Sequence, residues 1–96
     1  VPSYRSILTI GALHPGRGPQ AVEDAARAAV TETTTLESFQ VDVVSGEPRV
    51  AVRFTGADDG EAREVHARTS AAVREVASAP RAVLAKVVSG RSVPII

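Results

Sequence analysis

The sequence has no cysteine, no methionine and no tryptophan, with only one tyrosine and two phenylalanines. Without cysteine there is no disulfide, no thiolate metal site and no cysteine nucleophile. Charge of one sign is missing too: eleven Lys or Arg balance eleven Asp or Glu, for a formal net charge of zero. A dedicated nucleic-acid or anionic-membrane binder needs a basic excess to displace counterions, so neither is an expected partner. Zero net charge also gives little repulsion between copies. No apolar run approaches the roughly 20 residues of a membrane span. The early run Ile7 to Leu13 is broken by Thr9 and Gly11 and is followed by no cleavage-like site of a signal peptide. A cytoplasmic protein is the expectation.

What is present is ordinary for a folded domain. The 96 residues are 44% apolar and 23% charged, enough for one core and too few for two. A chain of this size buries roughly 60–65% of its unfolded surface, so association is a natural supplement to its stability. We expect one domain over residues 1–90 and a tail over 91–96. Arginine far outnumbers the single Lys86, and Ala and Val are frequent, a composition of GC-rich, actinobacterial-like codon usage.

The centre of the chain holds two mirrored segments, Phe39-Gln40-Val41-Asp42-Val43 and Val50-Ala51-Val52-Arg53-Phe54. Folding one onto the other through Ser45-Gly46-Glu47-Pro48 pairs Phe39 with Phe54, Val41 with Val52 and Val43 with Val50. A side-chain period of two, matched across a turn, predicts an antiparallel hairpin with one buried face. Before it, Tyr4 to Leu13 reads as a strand and Pro19 opens a helix carrying Val22, Ala25, Ala26, Ala29 and Val30 on one face. After it, Asp58-x-x-Glu61 resembles a capping box. A helix with Ala62, Val65, Thr69, Ala72, Val73 and Val76 inward then runs to Pro80. Glu64 and Arg68 are spaced for an i,i+4 pair. Ala82 to Ser89 is a last strand. The order βαββαβ predicts an α+β, ferredoxin-like sandwich: a four-stranded antiparallel sheet, order 4-1-3-2, with two helices on one face.

That topology leaves the second sheet face open. The hairpin presents Ser38, Gln40, Asp42, Ala51 and Arg53 there. The first strand presents Ile7 and Thr9 or Leu8 and Ile10, and the last strand Val83, Ala85 and Val87 or Leu84 and Val88. The middle of the face is apolar under either parity, and such a face meets a partner. We expect a homodimer or higher homo-oligomer through the sheet or by strand pairing, with Ile7, Thr9, Asp42, Ala51, Arg53, Ile95 and Ile96 as interface residues. RNA-recognition motifs share the topology but need stacking aromatics on the two central strands, which this chain lacks.

The loop His14-Pro15-Gly16-Arg17-Gly18-Pro19 is the best ligand candidate. It precedes a helix N-terminus, where free N–H groups and the dipole favour an anion. Arg17 adds charge, and Gly16 and Gly18 permit close backbone approach. His14 and His66 sit in no metal motif, and no metal or cofactor is expected. Asp58, Asp59 and Glu61 lie where a helix start favours negative charge. The element order and the His14-Pro15-Gly16 turn resemble the ACT-type amino-acid-binding regulatory domains, which often carry Pro-Gly there. That resemblance implies a small-ligand sensor, although the second helix is long for the family. Three functions are expected, in order of preference: a non-catalytic interaction module that self-associates, an ACT-like sensor of an anionic metabolite, and a small dimeric α+β barrel enzyme. The enzyme would draw on Tyr4, His14, Arg53 and His66, and their spacing supports no mechanism. No catalytic residue is assigned.

Overall fold

A computed structural model describes all 96 residues. The elements are β1 (Ser3–Thr9), α1 (Pro19–Thr31), β2 (Leu36–Val44), β3 (Glu47–Thr55), α2 (Asp59–Arg74), β4 (Arg81–Val88) and β5 (Arg91–Pro94). No helix is long and apolar enough to cross a membrane. The class is α+β, with two helices and an antiparallel sheet. The expected four-stranded sheet of order 4-1-3-2 is corrected: the sheet has five strands in the order β2-β3-β1-β4-β5. The fifth comes from the segment expected as a tail, which folds back along β4 and pairs Arg91 with Val88 and Val93 with Lys86.

The two hairpins close in the same way. Ser45 and Gly46 have φ of 53° and 80°, and Ser89 and Gly90 have φ of 51° and 76°. Positive φ at both central residues is a two-residue turn of type I′, whose twist matches that of the flanking strands. The tetrapeptide Val43-Val44-Ser45-Gly46 recurs as Val87-Val88-Ser89-Gly90, and both copies make this turn. The two-residue turn also corrects the register of the first hairpin. Phe39 faces Val52, Val41 faces Val50 and Val43 faces Pro48, while Leu36 faces Phe54 beyond a bulge at Leu36–Ser38. A slip of two residues keeps every side chain on its face, so the expected division of inner and outer residues stands.

Both helices cover one face. Tyr4, Leu8, Val52, Phe54 and Leu84 from the sheet meet Ala26, Val30, Ala62, Val65 and Val73 from the helices, and these residues are fully or almost fully buried. Burying each Val, Leu or Phe side chain contributes about 1.5–3 kcal/mol. The alanines let the helices lie close to the sheet. Pro19 takes the first position of α1, where its missing N–H has no intrahelical role. Asp58 caps α2, accepting from the Glu61 N–H at 2.8 Å, while Glu61 reaches back to the Ala57 N–H at 3.1 Å.

Three expectations shift with the packing. The first strand ends at Thr9, because Gly11 to His14 turn aside to pair with the exit of α2. The Gly11 and His14 N–H groups donate to Ser78 and Val76, and the Ser78 N–H donates to Ala12. A Cβ on Gly11 would lie 3.1 Å from the Ser78 hydroxyl. The second helix ends at Arg74 rather than near Pro80, since Val76, Ala77 and Ser78 take part in that pairing. Arg68 does not pair with Glu64. It crosses to the C-terminal end of α1, donating to the Ala29 carbonyl at 2.8 Å and the Thr33 hydroxyl at 2.6 Å. Glu32 lies 3.7 Å away. A guanidinium satisfies helix-end carbonyls that have no intrahelical donor.

Candidate functional site

The expected ligand loop is an exposed turn. The Arg17 N–H donates to the His14 carbonyl at 3.0 Å, with Pro15 and Gly16 between them and Gly16 at φ 80°. Proline followed by a positive-φ glycine is the pattern of a type II turn. His14 Nδ1 sits 3.1 Å from the Glu75 carbonyl, fastening the loop to the end of α2. A Cβ at Gly16 or Gly18 would meet nothing within 4 Å, so neither glycine makes room for a neighbour. None of His14, Gly16, Arg17 or Gly18 lines a cavity.

The polar residues weighed for catalysis are not brought together. Tyr4 is fully buried at the start of β1. Its hydroxyl donates to Asp59 Oδ1 at 2.7 Å, and Lys86 Nζ lies 3.3 Å from the same oxygen. Burial and the adjacent carboxylate push the Tyr4 pKa up to about 12, while the Tyr4 and Lys86 hydrogen bonds hold Asp59 below the usual carboxylate value. Gly56 makes room for this ring, since a Cβ there would lie 2.9 Å from Tyr4 Cε1. His66 is only 6% exposed. Its Nδ1 is 2.6 Å from the hydroxyl of the fully buried Ser6. Burial lowers its pKa. This Ser–His pair is sealed in the core, where no substrate reaches it. Asp58, Asp59 and Glu61 are each engaged in capping or in the Tyr4 cluster, and no group of three or more His, Asp or Glu side chains is placed to hold a metal ion.

Two surfaces remain. The first is the free side of β2. Phe39, Val41 and Val43 lie on the helix side of the sheet: Phe39 packs against the core with the Arg27 guanidinium 5.7 Å above its ring, while Val41 and Val43 are 60% and 71% exposed. Between them and the first turn of α1 is a cleft of about 340 Å³ with Leu13, Pro19, Val22, Phe39 and Val41 among its walls. The backbone of the same residues is also unpaired. On β3 the Pro48 carbonyl accepts from Ile10 on the β1 side, and the Thr55 N–H donates to Thr35 on the β2 side. Even positions of β3 therefore serve β1 and odd positions serve β2. The β2 partners of those odd positions are Ser38, Gln40, Asp42 and Val44. The N–H and C=O groups of Phe39, Val41 and Val43 consequently point outward.

The second surface is the open face. Ile7, Thr9, Asp42, Ala51 and Arg53, five of the expected interface residues, share it. Ile95 does not: its N–H donates to the Leu84 carbonyl and its side chain packs on the helix-side core, with Ile96 beyond it. The registers align the face in rows. Ala51, Ile7 and Val83 form an apolar row, flanked by Arg53 and Arg5 on one side and by Arg49, Thr9 and Arg81 on the other. The charge on this face was only half legible in the sequence. Arg49 and Arg53 fall on the hairpin's outer face by parity, but Arg5 and Arg81 join them only once β1 and β4 are placed. Comparison with known proteins finds no matching family model, no matching curated protein and no matching solved structure.

Proposed function

We propose that this chain is a non-catalytic protein-interaction module that self-associates by pairing its β2 edges, on a ferredoxin-like βαββαβ unit extended by β5. The carrying observation is that Val41 and Val43 leave their side chains exposed, and that the backbone hydrogen-bonding groups of Phe39, Val41 and Val43 point away from β3. A long edge strand with no proline or lysine is a template for another strand. Antiparallel pairing about a two-fold axis at Val41 is self-complementary. Val41 meets Val41 of the other copy, Phe39 falls opposite Val43, and Gln40 falls opposite Asp42, so no like charges meet. A centre at Asp42 would oppose two carboxylates. Stacking two open faces instead would desolvate Arg5 and Arg49, which have no carboxylate partner, while Arg53 and Arg81 are already paired with Glu37 and Glu47.

Light scattering coupled to size exclusion at tens of micromolar tests this. The wild-type protein is expected as a dimer, and Val41→Lys as a monomer with an unchanged circular dichroism spectrum, because position 41 is exposed and its N–H is not used by β3. A strictly monomeric wild type overturns the reading.

A further inference from the structure

The row Arg49–Thr9–Arg81 carries a feature independent of the β2 edge. These residues, with Ile7 and Val83, line a depression of about 280 Å³ in the open face. Arg49 and Arg81 flank Thr9 on its two neighbouring strands, so their Cα atoms lie roughly 10 Å apart at the usual strand spacing. Arg49 is half-buried and makes no hydrogen bond or ion pair, although Asp42 is directly opposite it in register. Thr9 is 5% exposed, and its hydroxyl has no partner in the chain. No fully enclosed side-chain polar atom is left unpaired, so that hydroxyl keeps some exposure, and Thr9 lines the depression. Arg81 is held by Glu47 Oε1 at 2.6 Å. An unpaired guanidinium, an unpaired hydroxyl and a second guanidinium thus converge on one small space.

We infer that this depression binds a small oxyacid anion bearing a short apolar group. Arg49 supplies the paired N–H donors that fit a carboxylate or phosphate. The Thr9 hydroxyl donates to the same group. Arg81, whose charge is offset by Glu47 at 2.6 Å, adds guanidinium N–H donors rather than a second free charge. Ile7 and Val83 receive the carbon portion, and the adjacent Ala51 continues that floor. The volume lies just below the range of drug-sized pockets, which suits an acid of a few carbon atoms. The expected ligand turn at Arg17 takes no part.

The test is titration of the isotope-labelled protein with butyrate, butanol and inorganic phosphate, at constant ionic strength held with chloride, read by amide and arginine side-chain NMR shifts. Butyrate is expected to give saturable shifts centred on Ile7, Thr9, Arg49 and Val83 in the millimolar range, and butanol none. Arg49→Gln should weaken binding at least tenfold, Thr9→Val several-fold, and Arg17→Ala not at all. Saturable phosphate binding at the same residues, with no butyrate binding, would keep the oxyanion and overturn the apolar portion. Shifts that do not saturate, or equal affinity in Arg49→Gln, would overturn the site. Val41→Lys should bind butyrate as the wild type does, so a failed edge interface and a failed anion site are told apart.

Discussion

The two hairpins of this sheet share a turn and differ in their outer strands. Val-Val-Ser-Gly closes both, with the same pair of positive φ angles. The β2–β3 hairpin has a nine-residue edge strand with an uncovered apolar row. The β4–β5 hairpin has a four-residue edge strand, stopped at Pro94 and followed by Ile95 on the core. A short strand with a terminal proline is a blunted edge, and a long one without charge on its apolar row is not. The turn therefore sets the hairpin, while the length and terminus of the outer strand set whether the edge is available.

The largest effect should come from removing the difference. Deleting residues 91–96 bares β4 and withdraws Ile95 from the core. In a Val41→Lys background, which keeps β2 unpaired, the deletion should cost about 2–4 kcal/mol in chemical denaturation, the range for losing a packed aliphatic side chain with its neighbours. It should also restore association, now through β4. A deletion variant that melts normally and stays monomeric would show that β5 protects nothing. A smaller effect isolates the shared turn. Gly46→Ala and Gly90→Ala each force a side chain into positive φ, at about 1 kcal/mol apiece. Equal losses by thermal melting are expected if the turns are equivalent. A clearly larger loss at Gly46, present only at concentrations where light scattering finds a dimer, would mean that the first turn is reinforced by association.

The smallest effect concerns neither edge. The pKa of His66 is lowered in the folded chain, so below about pH 6.5 the unfolded chain binds the extra proton first. Stability is full above that pH and declines as pH falls toward the folded-state value. The melting temperature should drop by a few degrees between pH 7 and pH 5, and His66→Gln should lose that part of the slope. Association of the protein, where light scattering detects it, should not follow His66, which faces Ser6 in the core.

Much of the fold was legible from local chemistry. Pro19, Asp58 and Glu61 marked the helix starts because their roles depend on neighbours in sequence. Parity alone assigned Val50, Val52 and Phe54 to the core and Arg49, Ala51 and Arg53 to the opposite face. The register was missed because Ser45 takes a positive φ that a non-glycine residue rarely adopts. Strand β5 was missed because Arg91–Pro94 is too short to show a period, although the repeated Val-Val-Ser-Gly was a usable signal. The open-face row of Arg49, Thr9 and Arg81 draws on three strands far apart in sequence. Its alignment depends on β1 lying between β3 and β4, and no local pattern encodes that.

The position of β1 inside the sheet has a consequence for any pair joined at β2. Antiparallel edge pairing keeps both open faces on one side. From β1 of one copy to β1 of the other there are five strand spacings, or roughly 24 Å at the usual separation. The pair would thus present two anion depressions on one continuous surface at a fixed span. A partner carrying two acidic groups at that distance would engage both at once, and its avidity would exceed either single affinity without any new contact.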